Sequence, residues 1–318
     1  GGSTNCPVHL TAIARHLGLE LSLQDWQDIG YDVPLLVNCQ PAGKYLGEAF
    51  HRAGGIPGVV RELLGAGRIH GDALTVSGNT VAENQVDVPE PDREVIYVYE
   101  KPMKEKAGFL VLSGNLFDAA LIKTCVVSDE FRARYLAEPG NENVFTSRVI
   151  VFEGPEDYRE RLNDPSLEID DSCMLVIRGC GPIGYPGSGE VVNMQPPDGL
   201  LKQGIHTLPT MGDGRQSGTS ASPSILNIAP ESAVGGNLAL LETGDEVRVD
   251  LNECRVELLV SDEALAKRGE NYSPPELRHQ TPWQEMYRGC VGQLDTGACI
   301  EFATKYRDVA GDHPRHYH

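Results

Sequence analysis

Positive charge is scarce in this chain relative to negative charge. Its 318 residues carry 27 Lys and Arg against 46 Asp and Glu, a formal charge of −19. A phosphate backbone needs a basic face, so this balance argues against nucleic-acid binding. An anionic small molecule stays compatible if a metal ion, an arginine or a helix N-terminus reverses the field locally. Long apolar runs are missing too, so nothing in the sequence reads as a membrane span. Among the eight cysteines there is no C-x-x-C pair, and no His-x-x-x-His pair accompanies them. The chain is not short and shows no signal peptide, so buried, reduced thiols in a cytosolic protein are expected rather than a disulfide framework. The G-x-S-x-G elbow of hydrolases is also absent, which argues against an acyl-transfer serine.

Glycine is plentiful, and it is placed suggestively. Gly212-Asp213-Gly214-Arg215-Gln216-Ser217-Gly218-Thr219-Ser220 sets hydroxyls among glycines beside an arginine and an aspartate. Upstream lies Gly184-Tyr185-Pro186-Gly187-Ser188-Gly189-Glu190. Glycine lets the backbone take positive φ and lets other groups approach closely. Two such turns read as walls of a site for a polar small molecule, although each alone is an ordinary surface turn. Serine is a weak acid, so a basic role for Ser217 requires a metal ion, an arginine or a helix N-terminus beside it. Glu190 offers a hard oxygen suited to Mg²⁺ or Ca²⁺, but one carboxylate is not a site. Arg215 suits a substrate carboxylate, with a structural salt bridge to Asp213 or another acid as the competing use. Lys123 and His206 rank below these, and His9, His51 and His70 read as structural or surface groups.

Organisation changes along the chain. Helical spacing of Leu10, Ile13, Ala14 and Leu17 predicts a helix that Ser3 or Thr4 caps and Gly18 ends. A short helix around Trp26, a buried strand at Pro34-Leu35-Leu36-Val37, and helices over 45–50 and 59–64 follow. The segment from Val86 to Asp92 is polar and broken by Pro89 and Pro91. Boundaries are therefore set at 1–90 for an α/β part, 91–107 for a linker and 108–318 for a β-rich, barrel-like domain with flanking helices. Within the last, strands are expected at 108–112, 149–152 and 173–177, with a hairpin turning at Asn252-Glu253. Helices are expected around 155–162, 262–268 and 283–287. The tail from His313 to His318 is either a loose end or a flap over a site. Gly1 opens directly into a helix-entry motif, and the chain reads as the C-terminal part of something longer.

The ordered landmarks carry a resemblance. Gly1-Gly2-Ser3-Thr4-Asn5, Pro41-Ala42-Gly43-Lys44-Tyr45, His51-Arg52-Ala53-Gly54-Gly55-Ile56-Pro57 and His70-Gly71-Asp72-Ala73-Leu74 come first. Gly114-Asn115-Leu116, Ile122-Lys123-Thr124, the Pro186–Glu190 loop, Asp213-Gly214-Arg215 and Pro230-Glu231-Ser232 follow in order. Together they resemble the second half of the dihydroxy-acid dehydratase / 6-phosphogluconate dehydratase family. Asn38-Cys39-Gln40-Pro41, Gln216 and Thr219 are most similar to the sugar-acid subgroup acting on L-arabinonate and D-xylonate.

The resemblance implies a hydro-lyase that turns an aldonic acid into a 2-keto-3-deoxy acid. It implies Ser217 as the alkoxide base at C2, Thr219 as a neighbouring hydroxyl that holds substrate or supports that base, and Glu190 as a magnesium ligand, while Arg215 stands as a substrate-binding candidate on its chemistry. It also implies an iron–sulfur cluster of the 2Fe–2S kind as Lewis acid at the leaving hydroxyl. The cluster cysteines and the other magnesium ligands belong to the family's N-terminal half, and none of the eight cysteines here matches one. A homodimer or homotetramer in the cytoplasm is the implied state. Two other readings stand beside this one: a dihydroxy-acid dehydratase of branched-chain amino-acid biosynthesis, and a non-catalytic acid-binding or assembly fragment.

Overall fold

The computed structural model describes residues 1–217, 223–274 and 276–306. The first hundred residues hold four helices, α1 (Asn5–His16), α2 (Leu23–Asp28), α3 (Gly47–Arg52) and α4 (Gly55–Gly65). Ser22 starts α2 with a capping box: its hydroxyl accepts from the Asp25 amide, and Asp25 accepts from the Ser22 amide in return. Gly18, at φ 69°, ends α1 in the left-handed conformation that a side chain would resist.

Helix α1 has the expected period but presents the other face. Leu10, Ile13 and Leu17 are exposed, while Val8, Thr11 and Ala14 are buried. The reason is close packing: α1 rests with that face on the turn Leu294–Thr296. A Cβ on neighbouring Gly297 would lie 2.7 Å from the Ala12 backbone nitrogen. The strand expected at 34–37 is buried at Leu35 and Leu36, yet it makes only single bridges, Leu35 to Lys104 and Val37 to Ile96.

From Phe109 onward a closed barrel is built. Its strands are β1 (Phe109–Gly114), β2 (Ala119–Lys123), β3 (Val144–Glu153) and β4 (Cys173–Arg178), then β5 (Thr210–Gly212), β6 (Ser224–Ala229), β7 (Glu246–Asp250) and β8 (Arg255–Leu258). Around the barrel the order is β1-β2-β6-β5-β4-β3-β7-β8. Strands β3, β4, β5 and β6 run parallel, and β8 closes on β1 in parallel. The other neighbours pair antiparallel, including the β7–β8 hairpin expected around Asn252.

Side-chain alternation fills the barrel. Leu110, Leu112, Ile122, Val149, Val151 and Met174 join Met211, Val247, Val249 and Val256 in one buried cluster drawn from around the ring. The alternate residues of the parallel strands are buried as well. Ile150, Phe152, Leu175, Ile177 and Leu226 form a second cluster outside the barrel. Helix α5 (Gly154–Arg161) contributes Tyr158 to it and α6 (Asp198–Lys202) contributes Leu200. Burial on both faces explains why β3 and β4 read as continuous apolar runs. Each fully buried side chain of this size contributes about 2 kcal/mol.

Three strands escape a sequence reading. β5 has only three residues, too few to show a period. β6, Ser-Ile-Leu-Asn-Ile-Ala, mixes polar residues into a strand buried at every position. β2 begins with two alanines. These are the strands that carry or neighbour the Ser217 loop.

Candidate active site

Glu190 lies on the loop that leaves β4, and Ser217 on the loop that leaves β5. Both loops emerge from the C-terminal ends of adjacent parallel strands, the end at which α/β barrels carry their functional loops.

Two buried carboxylates set the shape of these loops. Asp213, wholly buried, accepts from the amides of Gly179 (3.1 Å), Cys180 (2.8 Å) and Ser232 (2.9 Å) and from the Ser232 hydroxyl (2.6 Å). Burial pushes its carboxyl pKa up, against the pull of those four donors. Glu231 accepts from the amides of Ile183 (2.9 Å) and Gly184 (2.8 Å) and from Gln293 Nε2 (2.8 Å). Burial raises its pKa as well. The two acids pin the chain from Gly179 to Gly184 against the segments that follow β5 and β6. Gly214 permits this approach, since a Cβ there would stand 2.7 Å from the Cys180 Cβ.

Beyond the pins, the loop carrying Glu190 is held by the loop carrying Ser217. Arg215 Nε donates to the Ser188 carbonyl at 2.7 Å, and Val192 N donates to the Arg215 carbonyl at 3.0 Å. Ser188 takes φ 48°, a left-handed conformation unusual outside glycine. Its hydroxyl is buried with no partner among the described residues. The Asn193 side chain donates to the Glu190 carbonyl at 2.8 Å and accepts from the Ser217 amide at 3.3 Å. From across the fold, Asn5 at the start of α1 donates to Glu190 Oε1 at 2.5 Å. Its oxygen accepts from Arg215 Nη1 at 3.3 Å.

Glu190, Arg215 and Ser217 are thus brought into one patch. Thr219 lies outside the described residues, as does the His313–His318 tail. The salt bridge weighed for Arg215 with Asp213 does not form among the described residues; the guanidinium serves Ser188 and Asn5 instead. Gln216 does not face a ligand. It is buried, and its amide donates to the Val192 carbonyl (3.1 Å) and the Ser224 hydroxyl (2.7 Å). Its likeness to the sugar-acid subgroup is therefore one of sequence, with the side chain spent on holding the loop. His9, His51, His70 and His206 are exposed. Lys123 is buried, and desolvation lowers its pKa. Asn5 and Asn193 were not foreseen. Asn5 reads as part of a helix entry, and Asn193 stands in an unremarkable run, so neither carries a local signal.

Family models match both parts of the chain. Residues 94–298 match the model described as dihydroxy-acid/6-phosphogluconate dehydratase C-terminal, and residues 1–84 match its N-terminal counterpart. The chain belongs to the dihydroxy-acid/6-phosphogluconate dehydratase family. Within it, the chain is 59% identical over its full length to a D-xylonate dehydratase of Caulobacter vibrioides, covering 53% of that protein. It is 41% identical over 95% of its length to an L-arabinonate dehydratase of Rhizobium leguminosarum bv. trifolii, covering 50% of it. A dihydroxy-acid dehydratase of Nostoc is 35% identical over 95% of the chain, with 51% of that relative covered. The chain therefore spans about half the length of the curated relatives it matches.

The groups this dehydratase family implies fit the chain unequally. The patch around Glu190 offers a carboxylate and the carboxamide oxygens of Asn5 and Asn193, hard oxygen groups that suit a cation such as magnesium. It supplies one carboxylate, so Glu190 fits as one member of a shared ligand set. An iron–sulfur cluster does not fit. The eight cysteines are free. Among the described residues, no three His, Cys, Asp or Glu side chains gather as a metal-binding group. Nor is any described helix long and apolar enough to cross a membrane.

Proposed function

We propose that this chain supplies the barrel-borne part of the active site of a hydro-lyase. Its substrate is an aldonic acid and its product a 2-keto-3-deoxy acid. The observation that carries the reading is the tie between the Glu190 and Ser217 loops through Asn193. The 59% identity to a D-xylonate dehydratase, against 35% to a dihydroxy-acid dehydratase, favours a sugar acid over a branched-chain substrate.

In this reading Ser217 is the base that takes the C2 proton. A serine hydroxyl needs positive charge nearby to ionise, and the protein at large is acidic. Arg215, two residues earlier and anchored on Ser188 and Asn5, is the local cation of the patch. Glu190 would hold magnesium together with ligands from outside this chain. When bound, that ion would polarise the substrate carboxylate and 2-hydroxyl and favour charge building up at C2. Asn193 keeps the Ser217 backbone in step with the Glu190 loop, which sets the distance between base and acid-binding side. Thr219 is assigned to the substrate by the resemblance. A homodimer or homotetramer in the cytoplasm completes the proposal.

Replacing Ser217 with Ala in the full-length protein tests the base. Formation of 2-keto-3-deoxy acid from D-xylonate should fall by at least about 10³-fold with Tm unchanged. Normal turnover by that variant removes Ser217 from the mechanism. Assaying L-arabinonate, D-xylonate and 2,3-dihydroxyisovalerate side by side checks the substrate class; preference for the last overturns it.

A further inference from the structure

We infer that Asn5 is a positioning residue: its amide aims the Glu190 carboxylate so that one oxygen is held by protein and the other is left for a divalent cation. The inference rests on the reading of Glu190 given above and deepens it.

The amide has one workable orientation. Asn5 Nδ2 faces Glu190 Oε1 at 2.5 Å and the Gln216 carbonyl at 3.5 Å, while Oδ1 faces Arg215 Nη1 at 3.3 Å. Turned over, it would set an oxygen against a carboxylate and an NH₂ against a guanidinium, losing every bond. Glu190 is exposed, and Asn5 is its side chain's hydrogen-bond donor among the described residues. Without that donor a glutamate on a Gly-Ser-Gly loop samples several rotamers, an entropy that cation binding would have to overcome.

Asn5 itself is well placed to hold. It opens α1, whose inner face is buried against the turn Leu294–Thr296. The preceding residue, Thr4, is buried, and its carbonyl accepts from Asn227 Nδ2 at 3.3 Å. A neutral amide also suits the task better than a cation. Lysine or arginine at this position would orient Glu190 equally well but would neutralise it and compete with the ion. Through Asn5, the segment matching the N-terminal family model reaches the loops of the barrel that matches the C-terminal one.

The test uses full-length protein and needs no substrate: Mn²⁺ binding followed by electron paramagnetic resonance, and Mg²⁺ by competition. Asn5→Ala should weaken binding about 10-fold, the usual effect of losing a partner that orients a ligand, with Tm and circular dichroism unchanged. Glu190→Gln should weaken it further. In the Glu190→Gln background Asn5→Ala should then cost nothing more, because the residue acts through that carboxylate. Should Asn5→Ala fail to fold, Asn5→Ser, a smaller polar residue unable to reach Glu190, carries the same expectation. If Glu190→Gln weakens binding and the Asn5 variant does not, or if the two losses simply add, the positioning role is wrong while the Glu190 reading stands. If Glu190→Gln binds Mn²⁺ like the parent, the metal reading of Glu190 fails first.

Discussion

Glu190 and Ser217 sit on different loops and share a partner: the Asn193 amide donates to the Glu190 carbonyl and accepts from the Ser217 backbone N–H. Both contacts are to backbone atoms, so Asn193 fixes the spacing of the two loops without using up the Glu190 or the Ser217 side chain. A short, polar, bifunctional amide is the residue type that can do this with one group in each direction.

Cutting that link should show in turnover. Asn193→Ala in the full-length protein should lower kcat on D-xylonate about 10-fold and leave Tm nearly unchanged. Asn193→Asp keeps the acceptor for Ser217 and loses the donor to Glu190, so its kcat should fall between the two. Steady-state kinetics of the three proteins check this, and a wild-type kcat for Asn193→Ala would break the proposed coupling.

Asp213 should matter for stability. It collects four donors on two oxygens in a wholly buried position. Asn in its place turns an NH₂ toward groups that are themselves donors. Leaving buried donors unmet costs about 2 kcal/mol, which corresponds to a Tm loss on the order of 5 °C for a domain of this size. Hydrogen exchange should accelerate between 179 and 190 in the same variant. Unchanged melting and exchange would show that the pin is dispensable.

Lys123 offers a pH-dependent test. It is buried, it forms no ion pair among the described residues, and desolvation lowers its pKa. A lysine whose folded pKa is depressed binds fewer protons folded than unfolded. Stability therefore rises as pH climbs from the folded value toward the unfolded one, near 10.4. Lys123→Met removes the penalty of a buried charge and should raise Tm by on the order of 2 °C at pH 7. That advantage should shrink as the pH approaches 10. Melting curves from pH 7 to 10 decide it; a lower Tm at pH 7 would mean that the lysine has found an anionic partner.

How much of this was legible from residues alone depends on the range of each interaction. Local order was. Periodic apolar residues announced α1, the run from Cys173 to Ile177 announced β4, and Ser22 with Asp25 builds a cap within four residues of chain. Turn chemistry marked both loops that carry Glu190 and Ser217, and the ordered motifs gave the family. The face of α1 was not legible, because Leu10, Ile13 and Leu17 are apolar whether or not anything covers them. Nor was the use of Gln216, whose burial follows from β6 lying beside β5.

The sequence by itself determined the elements that depend on neighbours in the chain, and it marked the residues with unusual chemistry. Only the tertiary structure decided that Asn5 meets Glu190, that Asn193 joins Glu190 to Ser217, and that Arg215 turns to Ser188 and away from Asp213. Those pairings depend on barrel closure, which brings distant segments together through register and packing. No short-range preference encodes a hydrogen bond between residues 185 positions apart.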